Sequence, residues 1–315
     1  MEFCAGKCPC RKLILPRKEN FVPSPVRCFM LIVNAPSPNA RPKYRGRLAP
    51  SPTGFLHLGH ARTFWTAQAR ARLHGGELVL RNDDLDSTRY KMEFVEAMRE
   101  DMRWFGLEWS EGPDLSGPFA PYNQSERMDI YRAALETLRV GGFIYPCTCS
   151  RRDIQSAITA PHPENDEEPI YPGTCRKILK AEIGNRKFSW RFRVPDGEVI
   201  SFCDEHLGEQ KFVAGKDFGD FVVWRGDGVP AYQLSCVVDD ALMQITEVVR
   251  GEDLLVSTAR QILLYRALEK TPPKFFHCEL MRDEHGERLA KRHEALSLRT
   301  LRARGASAAE LRAGW

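Results

Sequence analysis

The sequence predicts an α/β protein with a parallel sheet that is interrupted by an inserted, partly β subdomain. The first observation is a strand-helix-strand pattern: short strands over residues 45–49 and 77–81, and a helix over residues 59–73 that ends at a Gly-Gly pair. Such a unit requires parallel strands, since only antiparallel strands can be joined by a tight hairpin. The second observation is that the alternation stops between residues 145 and 215, where cysteines cluster, and resumes afterwards.

The remaining elements follow from caps and periodicity. Ser87 is predicted to cap a helix with its apolar face ending at Phe105, stopped by Gly106. Ser125 is predicted to cap the next helix, which ends at a second Gly-Gly pair. Further strands are predicted over residues 188–194, 221–224 and 244–249, and further helices over residues 232–241 and 257–268.

Changes in pattern divide the chain into four parts. Residues 1–43 are rich in proline and basic residues without periodicity, which predicts a disordered N-terminal extension. Residues 44–144 are predicted to form the first half of the main α/β domain, residues 145–215 the inserted subdomain, and residues 216–315 the second half of the main domain.

Composition excludes several classes of protein. The chain has 315 residues, of which 43% are hydrophobic and 28% charged, and no apolar run approaches the roughly 18 residues that a membrane span needs. The net charge of +4 is uneven: the first 46 residues have nine basic and two acidic residues, a net of +7, and the remainder has 37 basic and 40 acidic residues, a net of −3. No secretory signal is visible, so we expect a cytoplasmic protein with reduced thiols.

A strand, a turn and two histidines form the most informative motif. Arg47-Leu48-Ala49-Pro50-Ser51 leads through Pro-Thr-Gly into His57 and His60 at the start of the predicted helix. Histidines three residues apart share one face of a helix and lie beside its unpaired N–H groups, which form a natural phosphate site.

This stretch resembles the HIGH signature of class I aminoacyl-tRNA synthetases of the glutamyl group. Two further blocks, residues 80–86 and 249–258, are similar to the Arg-Ile-Glu-Asp and Arg-Gly-x-Asp-Leu-Leu-x-Ser-Thr blocks of that group. Residues 288–292, Arg-Leu-Ala-Lys-Arg, stand where the KMSKS loop belongs. The similarity covers about residues 45–300, so it implies a class I synthetase fold with a Rossmann-type parallel sheet and an inserted, acceptor-like subdomain.

The resemblance implies ATP-dependent activation of L-glutamate. Glutamate is ionised at neutral pH, so its attack on ATP needs positioning and charge stabilisation rather than a general base. His57, His60 and Lys291 are the residues implied for ATP binding and catalysis, with Mg²⁺ accompanying ATP.

The family pattern also implies the glutamate pocket. Arg47 and Arg250 match the positions that hold carboxylates, and Asp83 matches the acid that holds the ammonium group. Aspartate is one methylene shorter than the family's usual glutamate, so the contact runs either through water or through Asp84. The full set implied for glutamate is Arg47, Leu48, Ala49, Pro50, Ser51, Asp83, Tyr232 and Arg250.

A second cluster, Cys147-Thr-Cys149 and Cys175, has the composition of a closed zinc site. Three thiolates need a fourth donor, and from the residues alone this donor is either water or another side chain. The alternative to a zinc site is that the three cysteines are buried structural residues without a metal. The glutamyl-queuosine synthetase family carries a Cys-x-Cys…Tyr-x₃-Cys pattern, and this resemblance implies Tyr171 as the fourth ligand of one structural Zn²⁺ per chain. Cys203, Cys236 and Cys278 are expected in the core.

Only 24 residues follow Lys291, too few for an anticodon-binding domain. Together with the cysteine pattern, this favours the family that esterifies glutamate onto queuosine in the anticodon loop of tRNA(Asp). The alternatives are a truncated glutamyl-tRNA synthetase that charges a tRNA 3′ end and a catalytically idle RNA-binding relative. We expect a monomer without membrane contact, and the basic residues between Arg288 and Arg312 are the expected tRNA contact.

Overall fold

Short parallel strands lie at the centre of the fold and helices pack against them. The computed structural model describes residues 43–150, 152–154, 170–178, 180–281, 297–313 and 315. The strands are β1 (Arg45–Leu48), β2 (Glu77–Leu80), β3 (Ile144–Cys147), β4 (Ser189–Phe192), β5 (Val199–Asp204), β6 (Gly208–Val213), β7 (Phe221–Trp224), β8 (Glu247–Gly251) and β9 (Lys274–Cys278). The helices are α1 (Leu58–Leu73), α2 (Met92–Phe105), α3 (Met128–Val140), α4 (Lys180–Ile183), α5 (Tyr232–Leu242), α6 (Leu255–Ala267), α7 (Leu298–Ala303) and α8 (Ala308–Arg312).

The parallel pairing expected from the sequence is present. β1 pairs with β2 in parallel, and β8 pairs with β9 in parallel. β1 also lies beside β8, since Thr246 donates its backbone N–H to the Arg45 carbonyl over 2.8 Å. The chain therefore has the α/β sheet that the strand-helix-strand pattern predicted.

The inserted region contributes to two different sheets. β3, β4 and β7 form an antiparallel sheet, although β7 was predicted to belong to the second half of the catalytic domain. β5 and β6 form a hairpin, and β5 continues in parallel onto β9. This hairpin therefore extends the parallel arrangement of β1, β2, β8 and β9, here called the catalytic sheet. The boundaries at residues 145 and 215 stay a prediction, but the sheets themselves cross both of them.

Two predicted helix caps are wrong. The second helix begins at Met92, because residues 87–89 form a turn in which the Asp86 carboxylate accepts the Thr88 hydroxyl over 2.6 Å. Ser125 lies inside a short 3₁₀ helix, where its hydroxyl donates to Asp84 over 2.7 Å. The end of α2 is as predicted, since Gly106 adopts the left-handed conformation with φ of 86°.

The two main apolar clusters lie on either side of the catalytic sheet. One contains residues of α3, α5 and α6 with the insertion strands, and the other contains α1, α2 and the C-terminal helices. Within the described residues, no helix is long and apolar enough to cross a membrane. Residues 1–42 of the predicted N-terminal extension and the KMSKS-like loop, residues 288–292, lie outside the described residues.

Candidate active site

The two histidines form the first turn of α1. His57 is the N-cap, and its Nδ1 accepts the backbone N–H of Gly59 over 3.1 Å. His60 reaches back towards the His57 backbone N–H, and the two rings lie 3.7 Å apart between centroids. The pair is fixed by the helix terminus, which carries a partial positive charge. The structure therefore places both predicted ATP-binding histidines at one anion-attracting turn.

Arg47 lies on β1 and is buried beside β8. Its Nη1 donates to the Val249 carbonyl of β8 over 2.9 Å, and its Nε lies 3.6 Å from Asp240. The Nε atom has no hydrogen-bond partner among the described residues. A buried guanidinium with an unused donor has capacity for a further acceptor.

Arg250 lies at the end of β8 and is held on three sides. Its Nη2 donates to the Thr258 hydroxyl over 2.6 Å, and its Nη1 donates to Gln261 over 2.9 Å. Its Nε donates to His277 Nε2 over 3.2 Å. Since arginine has five N–H groups, one remains on each terminal nitrogen. The sequence analysis did not identify Gln261 or His277.

Asp83 is part of a buried ion cluster. Arg81, which is fully buried, donates to Asp83 over 2.6 Å and to Asp240 over 2.6 Å, and lies 3.6 Å from Asp239. Burial raises the pKa of Asp83 to about 6, although Arg81 opposes this effect. Asp84 instead accepts the backbone N–H and hydroxyl of Ser125. Its carboxylate is therefore held by the start of the 3₁₀ helix, whereas Asp83 lines the cleft.

Tyr232 begins α5 and connects these residues. Tyr232 lines the cleft together with Asp83 and is 41% exposed, and the charges of Arg250, Arg47 and Asp83 act on its phenol. The predicted glutamate-binding side chains therefore share one neighbourhood. Ser51, Asp83 and Tyr232 line one end of a cleft of about 1120 Å³. Leu48, Ala49 and Pro50 form the backbone that links β1 to this end; Asp83 donates its N–H to the Pro50 carbonyl over 3.1 Å.

The predicted metal ligands meet beside the same cleft, which Cys149 and Tyr171 line. The sulfur atoms of Cys147, Cys149 and Cys175 lie within 4.8 Å of one another. The Tyr171 hydroxyl is 3.4 Å from Cys147 Sγ and 3.5 Å from Cys149 Sγ, and Cys149 Sγ is 3.5 Å from Cys175 Sγ. Cys236 and Cys278 are buried as expected, whereas Cys203 is exposed on β5, so its prediction as a core residue is wrong.

This donor set is compatible with a tetrahedral metal ion. With Zn–S bonds of about 2.3 Å and a Zn–O bond of about 2.0 Å, a tetrahedral site separates two sulfurs by about 3.8 Å and a sulfur from an oxygen by about 3.5 Å. The observed S···O distances of 3.4 and 3.5 Å match the second value. Arg191 adds a positive charge: its Nε lies 3.2 Å from Cys147 Sγ, and its guanidinium stacks over the Tyr171 ring at 4.1 Å.

The basic residues near the C terminus have structural partners. Arg299 donates to Glu100 over 2.6 Å, and Arg312 donates to the Phe105 carbonyl over 2.7 Å while its guanidinium lies 4.3 Å from the Trp65 ring centre. Arg89, Arg191, Arg225 and Arg260 line the cleft instead. Sequence reasoning missed these four because they are scattered along the chain.

Residues 43–312 match the family of class I tRNA synthetases (E and Q), catalytic domain. The chain therefore belongs to the glutamate- and glutamine-type class I tRNA synthetase family. It is 50% identical over 267 residues to a glutamyl-Q tRNA(Asp) synthetase from Symbiobacterium thermophilum, covering 83% of this chain and 82% of the relative. A protein of the same name from Nitratidesulfovibrio vulgaris is 46% identical, covering 85% of this chain and 83% of the relative.

Longer relatives match over only part of their length. A glutamate–tRNA ligase 2 from Syntrophus aciditrophicus is 41% identical, and the match covers 84% of this chain and 54% of the relative. A solved structure of a glutamate tRNA ligase from Elizabethkingia meningosepticum, in complex with its amino acid, superposes with a TM-score of 0.70 at 30% identity. That match covers 84% of this chain and 53% of the solved chain, so this chain spans about half the length of the ligases.

Proposed function

We propose that the protein activates L-glutamate with ATP, as glutamyl-adenylate, and transfers the glutamyl group to queuosine in the anticodon loop of tRNA(Asp). The observation that carries the proposal is that Arg47 lies 3.6 Å from Asp240, which Arg81 joins to Asp83 at the cleft. Arg47 also donates to the carbonyl of Val249, the residue before Arg250, so the two arginines and the acid lie close together. Two cations and one acid match the two carboxylates and one ammonium group of glutamate. The shared length and identity with the glutamyl-Q tRNA(Asp) synthetases support queuosine as the acceptor.

Each pocket residue has a proposed role that follows from its charge. Arg47 and Arg250 bind the carboxylates of glutamate through N–H groups that their protein partners leave over. Asp83 binds the ammonium group, and the Tyr232 ring covers it. One wall of the pocket is formed by Ser51 and by the turn of Leu48, Ala49 and Pro50. The substrate carboxylate reaches ATP along this wall.

The phosphates of ATP are proposed to bind at the first turn of α1. His57 and His60 are placed there by the helix cap, next to backbone N–H groups. Lys291, in the KMSKS-like loop, is proposed to neutralise charge as pyrophosphate leaves, with Mg²⁺ on the phosphates. The glutamate carboxylate attacks the α-phosphorus, the bond to pyrophosphate breaks, and no protein group has to remove a proton.

The cysteine cluster is proposed to hold one structural Zn²⁺ per chain through Cys147, Cys149, Tyr171 and Cys175. With four protein donors the site has no position for a reactive water, so the metal would stabilise the insertion rather than take part in the chemistry. Arg191 is placed to offset the negative charge of the thiolates. We propose a monomer in the cytoplasm, where ATP, glutamate and tRNA are present together.

The test is a charging assay with radioactive glutamate on five RNAs, of which tRNA(Glu) tests the alternative. Expected acceptors are queuosine-containing tRNA(Asp), the same tRNA truncated at its 3′ end, and its isolated anticodon stem-loop. Queuosine-free tRNA(Asp) should accept nothing. Glutamate–ATP dependent pyrophosphate exchange should proceed without any RNA. Glutamate on the 3′ adenosine of tRNA(Glu), with none on queuosine, would instead identify a truncated glutamyl-tRNA synthetase, and a chain without exchange would be an idle RNA-binding relative.

A further inference from the structure

Arg250 ends a chain of buried polar groups that begins in the β5–β6 hairpin. Asp204 is the last residue of β5, and its Oδ2 atom lies 2.6 Å from Nδ1 of His277. His277 Nε2 accepts Arg250 Nε–H over 3.2 Å and lies 3.0 Å from the Thr258 hydroxyl. Asp204 and His277 are both almost completely buried. The carboxylate, the imidazole and the guanidinium therefore form one continuous relay.

The partners fix the form of the imidazole. Arginine Nε can only donate, so Nε2 of His277 must be the acceptor and carries no proton. The proton then lies on Nδ1, where it is donated to Asp204. Burial and the charge of Arg250 lower the pKa of His277 to about 4, so the ring is neutral at physiological pH.

Asp204 is itself held by backbone groups. Its Oδ1 accepts the N–H of His206 over 3.0 Å and of Leu207 over 2.9 Å, both in the turn between β5 and β6. The N–H of His277 donates to both of its oxygens over 3.2 Å. Those backbone bonds help to lower the pKa of Asp204 despite its burial, and the carboxylate stays ionised. The orientation of Asp204 is thus set before any substrate arrives.

We propose that Asp204 and His277 are positioning residues for the glutamate substrate: Asp204 selects the Nδ1–H form of His277, and His277 orients Arg250. This inference rests on the proposed role of Arg250 in binding a glutamate carboxylate. A guanidinium that rotated freely would present its remaining N–H groups in many directions. The relay holds the Arg250 guanidinium in one orientation, so its remaining N–H groups have fixed directions. The β5–β6 hairpin, which belongs to the inserted region, therefore contributes to the amino-acid pocket without touching the substrate.

The experiment compares Asp204→Asn with Glu247→Gln in glutamate-dependent ATP–pyrophosphate exchange. Glu247 is a matched control, because it is a buried acid on the same strand as Arg250. Its own partner is a different arginine, Arg70, which donates to it over 2.7 Å. Asp204→Asn should raise the KM for glutamate at least tenfold and leave the KM for ATP within twofold. Glu247→Gln should lower the melting temperature and leave both KM values within twofold.

A double variant separates positioning from general damage. Arg250→Ala combined with Asp204→Asn should have the same KM for glutamate as Arg250→Ala alone, since the relay acts only through Arg250. If Asp204→Asn does not fold, the His277 variants decide: His277→Gln retains an acceptor for Arg250 and should bind glutamate at least fivefold more tightly than His277→Ala. Additive effects in the double variant, or equal KM values for the two His277 variants, would overturn the inference.

Nitrogen-15 spectra provide a readout that does not depend on activity. The His277 signals, identified by their loss in His277→Gln, should show a protonated Nδ1 and an unprotonated Nε2. An Nε2-protonated ring would overturn the relay even in a fully active enzyme. Absence of exchange in the wild-type protein would instead refute the proposed function itself, and the inference with it.

Discussion

Replacing Asp83 with asparagine should stabilise the fold and weaken glutamate binding. Burial raises the pKa of Asp83 from 3.8 to about 6, which means that ionised Asp83 is disfavoured in the folded protein. Each pKa unit corresponds to about 1.4 kcal/mol, so this charge destabilises the fold by about 3 kcal/mol at pH 7. Arg81 keeps Asp240 at 2.6 Å in the variant, so the substitution leaves no unpaired buried cation.

The sign of the stability change can be tested through its dependence on pH. The folded-state pKa of Asp83 is raised, so the fold is favoured while the carboxyl is protonated and loses this advantage as the pH rises from about 4 to about 6. Urea unfolding should therefore show the Asp83→Asn variant more stable than wild type by about 3 kcal/mol at pH 7.5 and by about half of that at pH 5. In pyrophosphate exchange its KM for glutamate should rise about 10-fold to 100-fold, the typical effect of losing a hydrogen bond to a charged group.

Glu111→Gln is the control with the opposite sign. Glu111 is buried, but hydrogen bonds from Arg45 and Tyr122 outweigh that burial and lower its pKa. Its charge stabilises the fold above its ordinary pKa, and the variant should lose about 2 kcal/mol at pH 7.5 with an unchanged KM for glutamate. A less stable Asp83→Asn variant would refute the reasoning about burial, and an unchanged KM would refute its role in the pocket.

Three further outcomes are expected. Lys291→Ala should lower the exchange rate at least 100-fold, since a placed charge donor typically contributes about 3 kcal/mol to the transition state; an effect below tenfold would remove it from the site. Freshly purified protein should contain one zinc per chain by plasma mass spectrometry, and Cys147→Ser should lose the metal and lower the melting temperature more than it slows exchange by the surviving protein; active, zinc-free enzyme would contradict this. Transfer of glutamate to the stem-loop should weaken as salt rises and with Arg225→Glu, whereas activation should not; salt-independent transfer would argue against a cationic RNA contact.

Local sequence signals predicted the strands and helices that contain the proposed substrate-binding residues. The Gly-Gly pair after residue 73 ends α1 as expected, and the strands on both sides of α1 pair in parallel. The cap at Ser87 failed because a nearer carboxylate, Asp86, organises a separate turn there. The membership of β7 could not be predicted, since antiparallel pairing with β4 depends on a partner about 30 residues away and not on local pattern.

The candidate site was predictable where a motif carried it, and only there. His57, Arg47 and Arg250 were identified through blocks of neighbouring residues. Asp204 lies in no block, and its contact with His277 spans 73 residues of sequence. A lone aspartate at a strand end has no signal in one sequence that distinguishes it from a surface acid. The C-terminal basic residues stay a predicted tRNA contact, although their composition did not reveal that Arg312 donates to the Phe105 carbonyl.

The continuation of β5 onto β9 has a consequence for how the protein opens. Because the hairpin and the catalytic sheet share backbone hydrogen bonds, the β5–β6 part of the insertion cannot unfold by itself without breaking the edge of that sheet. Amide protons of β5 should therefore exchange with solvent at the same opening free energy as those of β9, in a single cooperative unit. Among the described residues, the β3–β4–β7 sheet pairs with no strand of the sheet that contains β9, so its amide protons should exchange as a separate unit.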